Sequence, residues 1–253
     1  MMLRKILFAV VASALALTTV SATVSAADPG PVTPQDFQAA DACYTWNRSL
    51  GQGASGEDVR QLQIRVSGYP GYGAVLALDG AFGAGTKSAV TRFQQAYGLA
   101  ADGVAGPATF SKIYALQDDD CTPVNFSYAE LNRCNSDWSG GMVSAAQARA
   151  NALVTMWKLQ ALRHALGDRP LGVNSGFRSV ACNNAAGGSA TSRHMYGDAA
   201  DLAAGAQGFC TIAQQARSHG FTEILGPGYP DHNDHVHVAN RASRFWSAPN
   251  CGI

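Results

Sequence analysis

The chain has 253 residues, 47% of them hydrophobic and 14% charged, a balance that excludes a disordered protein and allows one or two globular domains. Its formal net charge of +0 removes the basic footprint that nucleic acid or an anionic lipid surface requires, so no nucleic-acid partner is expected.

At the start of the chain, Arg4 and Lys5 precede the apolar run from Ile6 to Leu17, and small residues follow to Val24-Ser25-Ala26. A positive segment, a short apolar core and an A-x-A-like site make residues 1–26 a secretory signal peptide, cut near Ala26 or Ala27. The apolar core falls short of the ~20 residues that span a bilayer. The mature protein is therefore expected to be secreted, extracellular and free of the membrane. Loss of Arg4 and Lys5 takes its formal charge to about −2.

All six cysteines, Cys43, Cys121, Cys134, Cys182, Cys210 and Cys251, lie beyond this segment, and their even number in an exported chain predicts three disulfides. Many connectivities satisfy that number; the sequential one, Cys43 with Cys121, Cys134 with Cys182 and Cys210 with Cys251, is the expectation. No C-x-x-C pair offers a thiolate metal site.

Residues 27–42 are rich in proline and read as a disordered mature N-terminus. Beyond Cys43 the chain reads as short helices. Val59, Leu62, Gln63 and Val66 keep a helical spacing, as do Thr86, Ala89, Val90, Phe93 and Tyr97, and Pro107 opens a third helix that runs to Leu116. Between them, Asp79-Gly80 and Asp102-Gly103 are tight turns, each followed by a glycine and a helix start, so one turn-to-helix unit occurs twice. The carriers are G-x-x-V-x-x-L-Q at Gly56 to Gln63, D-G-x-F-G at Asp79 to Gly83, Thr86 with Ala89, Val90, Phe93 and Gln94, and D-G-x-x-G-P-x-T at Asp102 to Thr109. Together they resemble a peptidoglycan-binding domain of the three-helix type. The resemblance implies that residues 43–116 attach the protein to the polymer of the bacterial cell wall. With so little charge, shape and hydrogen bonding would carry that attachment.

The polar, acidic tract from Gln117 to Pro123 reads as a solvated connector, giving a linker over residues 117–125 and a second domain over 126–253. Val143 to Leu166 is its longest helical pattern, with Ser144 as N-cap and Gly167 and Pro170 at the end. Leu153, Met156, Trp157, Leu159, Leu162 and Leu166 form its apolar face; His164 near its end is read as structural or exposed. Leu171 to Phe177 reads as a strand leading into Arg178, Ser179 to Asn184 as a short helix, and Ala185 to Ser192 as a loop.

A catalytic zinc site takes three ligands from His, Asp, Glu or Cys and keeps one open position. His194, in a loop, Asp201, on a strand from Ala199 to Ala203, and His237, on a strand with Val236 and Val238, supply two imidazoles and a carboxylate. The combination S-x-H-x-x-G-x-A-x-D at Ser192 to Asp201 and D-x-x-H at Asp234 to His237 is similar to the zinc D-alanyl-D-alanine carboxypeptidases and their endopeptidase relatives. The run S-G-F-R-S at Ser175 to Ser179 matches as well, and the resemblance covers roughly Cys43 to the C-terminus.

That resemblance implies one Zn2+ held by His194, Asp201 and His237, with Asp234 as general base and Arg178 stabilising charge on the substrate. Strict alternation would turn Asp234 away from the face of His237, so Asp234 must lie in irregular backbone before the strand. His232 and His235 are candidates for substrate contact, and Asp198 is read as structural. The reaction implied is hydrolysis of the terminal D-Ala-D-Ala bond of peptidoglycan stem peptides. The alternatives are an endopeptidase cutting stems or cross-bridges internally, and a catalytically silent peptidoglycan-binding protein. A serine or cysteine hydrolase is disfavoured, since no G-x-S-x-G elbow occurs and the cysteines are committed. The expected fold class is α+β: a small all-α three-helix N-terminal domain, then an α+β peptidase domain with an antiparallel sheet flanked by helices, acting as a monomer. The N-terminal domain is expected to be separable, so that deleting Cys43 to Leu116 weakens wall binding but spares cleavage of small peptides.

Overall fold

The computed structural model describes residues 43–134 and 137–253. The signal peptide and the mature N-terminus read from the sequence lie outside the described residues.

Three helices follow the predicted spacing: α1 (Glu57–Arg65), α2 (Ala84–Ala96) and α3 (Pro107–Ala115). Their inward faces, Val59 and Leu62, Val90 and Phe93, Phe110 and Ile113, meet in one cluster. The repeated turn is fixed by a glutamine in the preceding helix. Gln63 Nε2 donates to Asp79 Oδ1, the Ala81 carbonyl and Thr86 Oγ1 at 2.9, 3.1 and 3.1 Å, while its Oε1 accepts from the Gly80 N–H at 2.8 Å. Gln94 repeats the pattern on Asp102 Oδ1, the Val104 carbonyl and Thr109 Oγ1 at 2.9, 2.9 and 3.1 Å, with the Gly103 N–H at 2.9 Å. Both amides are buried, and every polar atom they bring inside finds a partner.

The rest of the chain forms α4 (Tyr128–Leu131), α5 (Ala145–Ala165), β1 (Val173–Ser175), α6 (Val180–Ala185), β2 (Ala199–Leu202), α7 (Phe209–Ala216), β3 (Glu223–Leu225), β4 (Val236–Ala239) and β5 (Phe245–Ser247). Ser144 caps α5 through the Gln147 N–H, as its sequence position predicts, and Ser179 caps α6 through the Cys182 N–H. The strands lie in the order β1-β2-β4-β3-β5. The sheet is mixed rather than wholly antiparallel: β5 pairs parallel to β3, and the other neighbours are antiparallel. The reason is positional. The chain reverses after β4 and lands on the free edge of β3, so it runs in the β3 direction.

One face of the sheet, with Val173, Ala200, Leu202, Ile224, Val236 and Val238, packs on α5 and α7. Helix α5 is apolar on two sides. Ala148, Ala152, Met156, Leu159 and Leu162 face the sheet, whereas Trp157 and Ala161 enter the core of the three-helix unit. Its neighbours there leave no gap: a methyl on Gly68 would collide with the Ala161 side chain and come within 3.0 Å of the Lys158 Cα.

The disulfides are Cys43–Cys121, Cys134–Cys182 and Cys210–Cys251. The first closes the three-helix unit onto the acidic tract, which is more ordered than a solvated connector. Asp118 N–H donates to the Thr122 carbonyl at 2.8 Å, Val124 N–H to the Leu116 carbonyl at 2.9 Å, and Trp157 Nε1 to the Cys121 carbonyl at 3.2 Å. The three acids Asp118, Asp119 and Asp120 take no part in a ligand cluster.

Candidate metal centre

Side-chain alternation decides what faces outward from the sheet. Asp201 on β2 lies directly opposite His237 on β4, and His237 opposite Leu225 on β3. On the other flank a register shift between Val173 and Ser175 turns Ser175 into the row of Asp201. His194 comes from the 3-10 turn Arg193–Tyr196, just before β2. Gly197 ends that turn at φ 76°, against the Ala148 carbonyl, where any side chain would collide with the α5 backbone. This packing delivers His194 to the sheet.

Three donor atoms converge. His194 Nε2 lies 3.1 Å from Asp201 Oδ1 and 3.2 Å from His237 Nδ1, and His237 Nδ1 lies 2.9 Å from Asp201 Oδ1. All three residues are buried. His194 Nδ1 stands 2.5 Å from the Gly176 carbonyl oxygen, which can only accept, so Nδ1 carries the proton and the Nε2 lone pair faces the cluster. Two donors roughly 2.0–2.1 Å from a tetrahedral ion are about 3.3 Å apart, so the set fits zinc in donor type and in spacing. Burial lowers the basicity of His194. Burial acts against ionisation of Asp201 as well, but His194 and His237 outweigh it and hold the carboxyl far below the usual range. For His237, burial is outweighed by the carboxylates of Asp201 and Glu223, and the pKa rises to about 9.

Around this cluster the other predicted residues separate. Arg178 donates from Nη2 to Asp201 Oδ2 at 2.7 Å and from Nε to Ser175 Oγ at 2.8 Å. His232 and His235 stand 4.7 Å apart by ring centres; His232 is 6.0 Å from the His237 ring, and His235 Nε2 is 3.6 Å from Asp201 Oδ1. Asp234 lies in the irregular backbone before β4. Its side chain is 88% exposed and stands outside the donor cluster, accepting at 2.8 Å from His235 Nδ1. Asp198 is buried in an ion pair with Arg193.

The family model "Peptidase M15" matches residues 124–239, and a "peptidoglycan binding domain" model matches residues 55–113. A zinc D-Ala-D-Ala carboxypeptidase of Streptomyces albus G is 70% identical over 251 residues, covering 99% of this chain and 98% of that one. The chain belongs to the peptidase M15 family. A spore cortex-lytic enzyme of Bacillus cereus is 48% identical over 63 residues, 25% of this M15 peptidase and 24% of that enzyme. A solved peptidoglycan-binding protein of Clostridioides difficile, in complex with glutamine hydroxamate, is 40% identical over 26% of this chain and 39% of that one, with a TM-score of 0.23.

Glu223, which belongs to no motif of the sequence, is buried on β3 of this M15 peptidase with Oε2 3.9 Å from His237 Nε2 and Oε1 accepting from Arg241 Nη1 at 3.0 Å. The available signal is a charged residue opening the short apolar strand Glu223-Ile224-Leu225.

Proposed function

We propose that the protein is a zinc-dependent D-alanyl-D-alanine carboxypeptidase, secreted and acting on the stem peptides of peptidoglycan as a monomer. The 70% identity over nearly the full length of the Streptomyces albus G enzyme carries this reading. The signal-like residues 1–26 support export, and no helix of the described residues is long and apolar enough to cross a membrane.

His194, Asp201 and His237 are the residues we assign to zinc. When bound, zinc would supply Lewis acidity, lowering the pKa of water to about 7 and polarising a carbonyl. The side chains do the rest. Asp234 takes the proton from the attacking water and returns it to the departing amine, a role worth about 10²- to 10⁴-fold in rate. His235 is hydrogen-bonded to Asp234 through Nδ1 and stands between it and the donor cluster, with Nε2 3.6 Å from Asp201 Oδ1. Arg178, braced by Ser175 and Asp201, offsets negative charge on the tetrahedral intermediate. His232 lies beside His235 and is assigned to substrate contact. Residues 43–116 hold the enzyme on polymeric wall and raise its local concentration there.

The deciding assay uses the mature protein and a peptide ending in D-Ala-D-Ala, before and after chelation and with zinc restored. Release of D-alanine that disappears on chelation and returns with zinc is expected. Zinc binding with an intact peptide, but new termini in digested wall, would favour an endopeptidase; full activity after chelation would overturn the metal assignment.

A further inference from the structure

We infer that Glu223 is a positioning residue for the metal centre: its carboxylate holds the Nε2 side of His237, so that Nδ1 is the nitrogen presented toward His194 and Asp201. The inference rests on the zinc reading of the site. The β3–β4 register pairs Glu223 with Ala239 and Leu225 with His237, so Glu223 and His237 are diagonal neighbours on the outward face. Ala239 is small, and its partner on the far side, Ala199, is also small. A long carboxylate can therefore run along the face to the imidazole, and Oε2 stands 3.9 Å from Nε2.

The same face explains why a buried carboxylate is tolerated there. Continuing past Ala239, Arg241 returns to Glu223 and donates from Nη1 to Oε1 at 3.0 Å. One oxygen thus serves the arginine and the other faces the histidine. Arg241 is 40% exposed at its side chain, whereas Glu223 is buried, so the arginine lies toward solvent and the histidine toward the donor cluster. Histidines that bind metal commonly give their second nitrogen to a carboxylate or carbonyl, which fixes the ring and raises its basicity. His194 has the Gly176 carbonyl in that position. Glu223 faces the corresponding nitrogen of His237, at an ion-pair separation of 3.9 Å rather than in a hydrogen bond.

The test measures zinc affinity directly, by titrating metal-free protein against a chromogenic chelator for the wild type, Glu223→Gln and Arg241→Ala. Glu223→Gln keeps the shape of the side chain and removes its charge, and is expected to weaken zinc binding by about 10- to 100-fold. Arg241→Ala leaves the carboxylate in place and is expected to lose less. The visible spectrum of the cobalt-substituted protein should shift in Glu223→Gln, a change that a purely structural carboxylate would not produce. Wild-type zinc affinity and an unaltered cobalt spectrum in Glu223→Gln would overturn the inference, as would a larger loss in Arg241→Ala. Failure of the wild type to bind zinc would instead strike the reading of the site itself.

Discussion

Lys158, on α5, sits where burial and charge compete. Its Nζ donates to the Gly220 carbonyl at 2.8 Å and to the side-chain oxygen of Asn240, and it lies 5.7 Å from the centre of the Phe221 ring. Burial dominates over the attraction of Asp198 and lowers its pKa to about 8, against 10.5 for an ordinary lysine. Between those two values the unfolded chain holds a proton that the folded chain has released, so this residue's contribution to stability rises with pH across that window. Below it both states are protonated, and the cost of burying the cation is carried in full. The unfolding free energy of the wild type relative to Lys158→Met is therefore expected to be level near neutral pH and to climb from about pH 8 to about pH 10.5. Urea unfolding over a pH series checks this, and a difference that stays level or falls through the window contradicts it. At this scale the cluster of His194, Asp201 and His237, which we propose holds the metal, is legible in the sequence, because its histidines and aspartate occupy two compact motifs. The groups that brace the set are not. Ser175 reaches Arg178 and Asp201 only through a bulge in β1, and Glu223 reaches His237 only through strand register.

Elements show the same division between local and long-range information. Helical periodicity finds α1, α2, α3 and α5, and β2 and β4 fall where the sequence reading puts them; β1 is shorter than the stretch Leu171 to Phe177 and bulged, and β3 has no local pattern to announce it. The parallel edge β5 carries no local signal, since only the position of β4 between β2 and β3 makes that edge available. The repeated Asp-Gly turn is visible as an echo, but its physical basis is the buried glutamine one helix earlier. Replacing Gln63 or Gln94 by Leu keeps the apolar volume and deletes both the amide donor and the acceptor. Gly80 N–H or Gly103 N–H then loses its partner, and so does one side of an aspartate and a threonine. Each substitution is expected to cost about 1–3 kcal/mol. Urea unfolding of the two variants would show it, with similar losses because the two networks match bond for bond; a silent Gln94→Leu beside a damaging Gln63→Leu would break the equivalence.

For the whole molecule the decisive feature is the seam along α5. Trp157, 1% exposed, and Ala161 belong to the three-helix core, Arg65 lies 5.9 Å from the Trp157 ring, and His219 Nδ1 stands 2.8 Å from the Gly68 carbonyl. His164, read from the sequence as structural or exposed, stacks on Tyr97 with ring centres 4.3 Å apart and sets Nε2 3.0 Å from the Ala96 carbonyl. The N-terminal helices and the peptidase half therefore share buried surface, which argues against the clean separability that the acidic connector suggests. Removing residues 43–116 would return Trp157, Leu153 and Ala161 to water and leave Cys121 without Cys43. A large apolar side chain moved to water costs about 1.5–3 kcal/mol, and a native domain has only about 5–15 kcal/mol in reserve. The truncated chain is accordingly expected to lose cleavage of small peptides together with wall binding, while the full chain melts in one cooperative transition. Thermal melts followed by circular dichroism, paired with D-alanine release from a short peptide, would decide it. A truncated chain that melts cooperatively near the full-length temperature and keeps its peptide activity would show that the seam is dispensable and that the two halves work as independent modules.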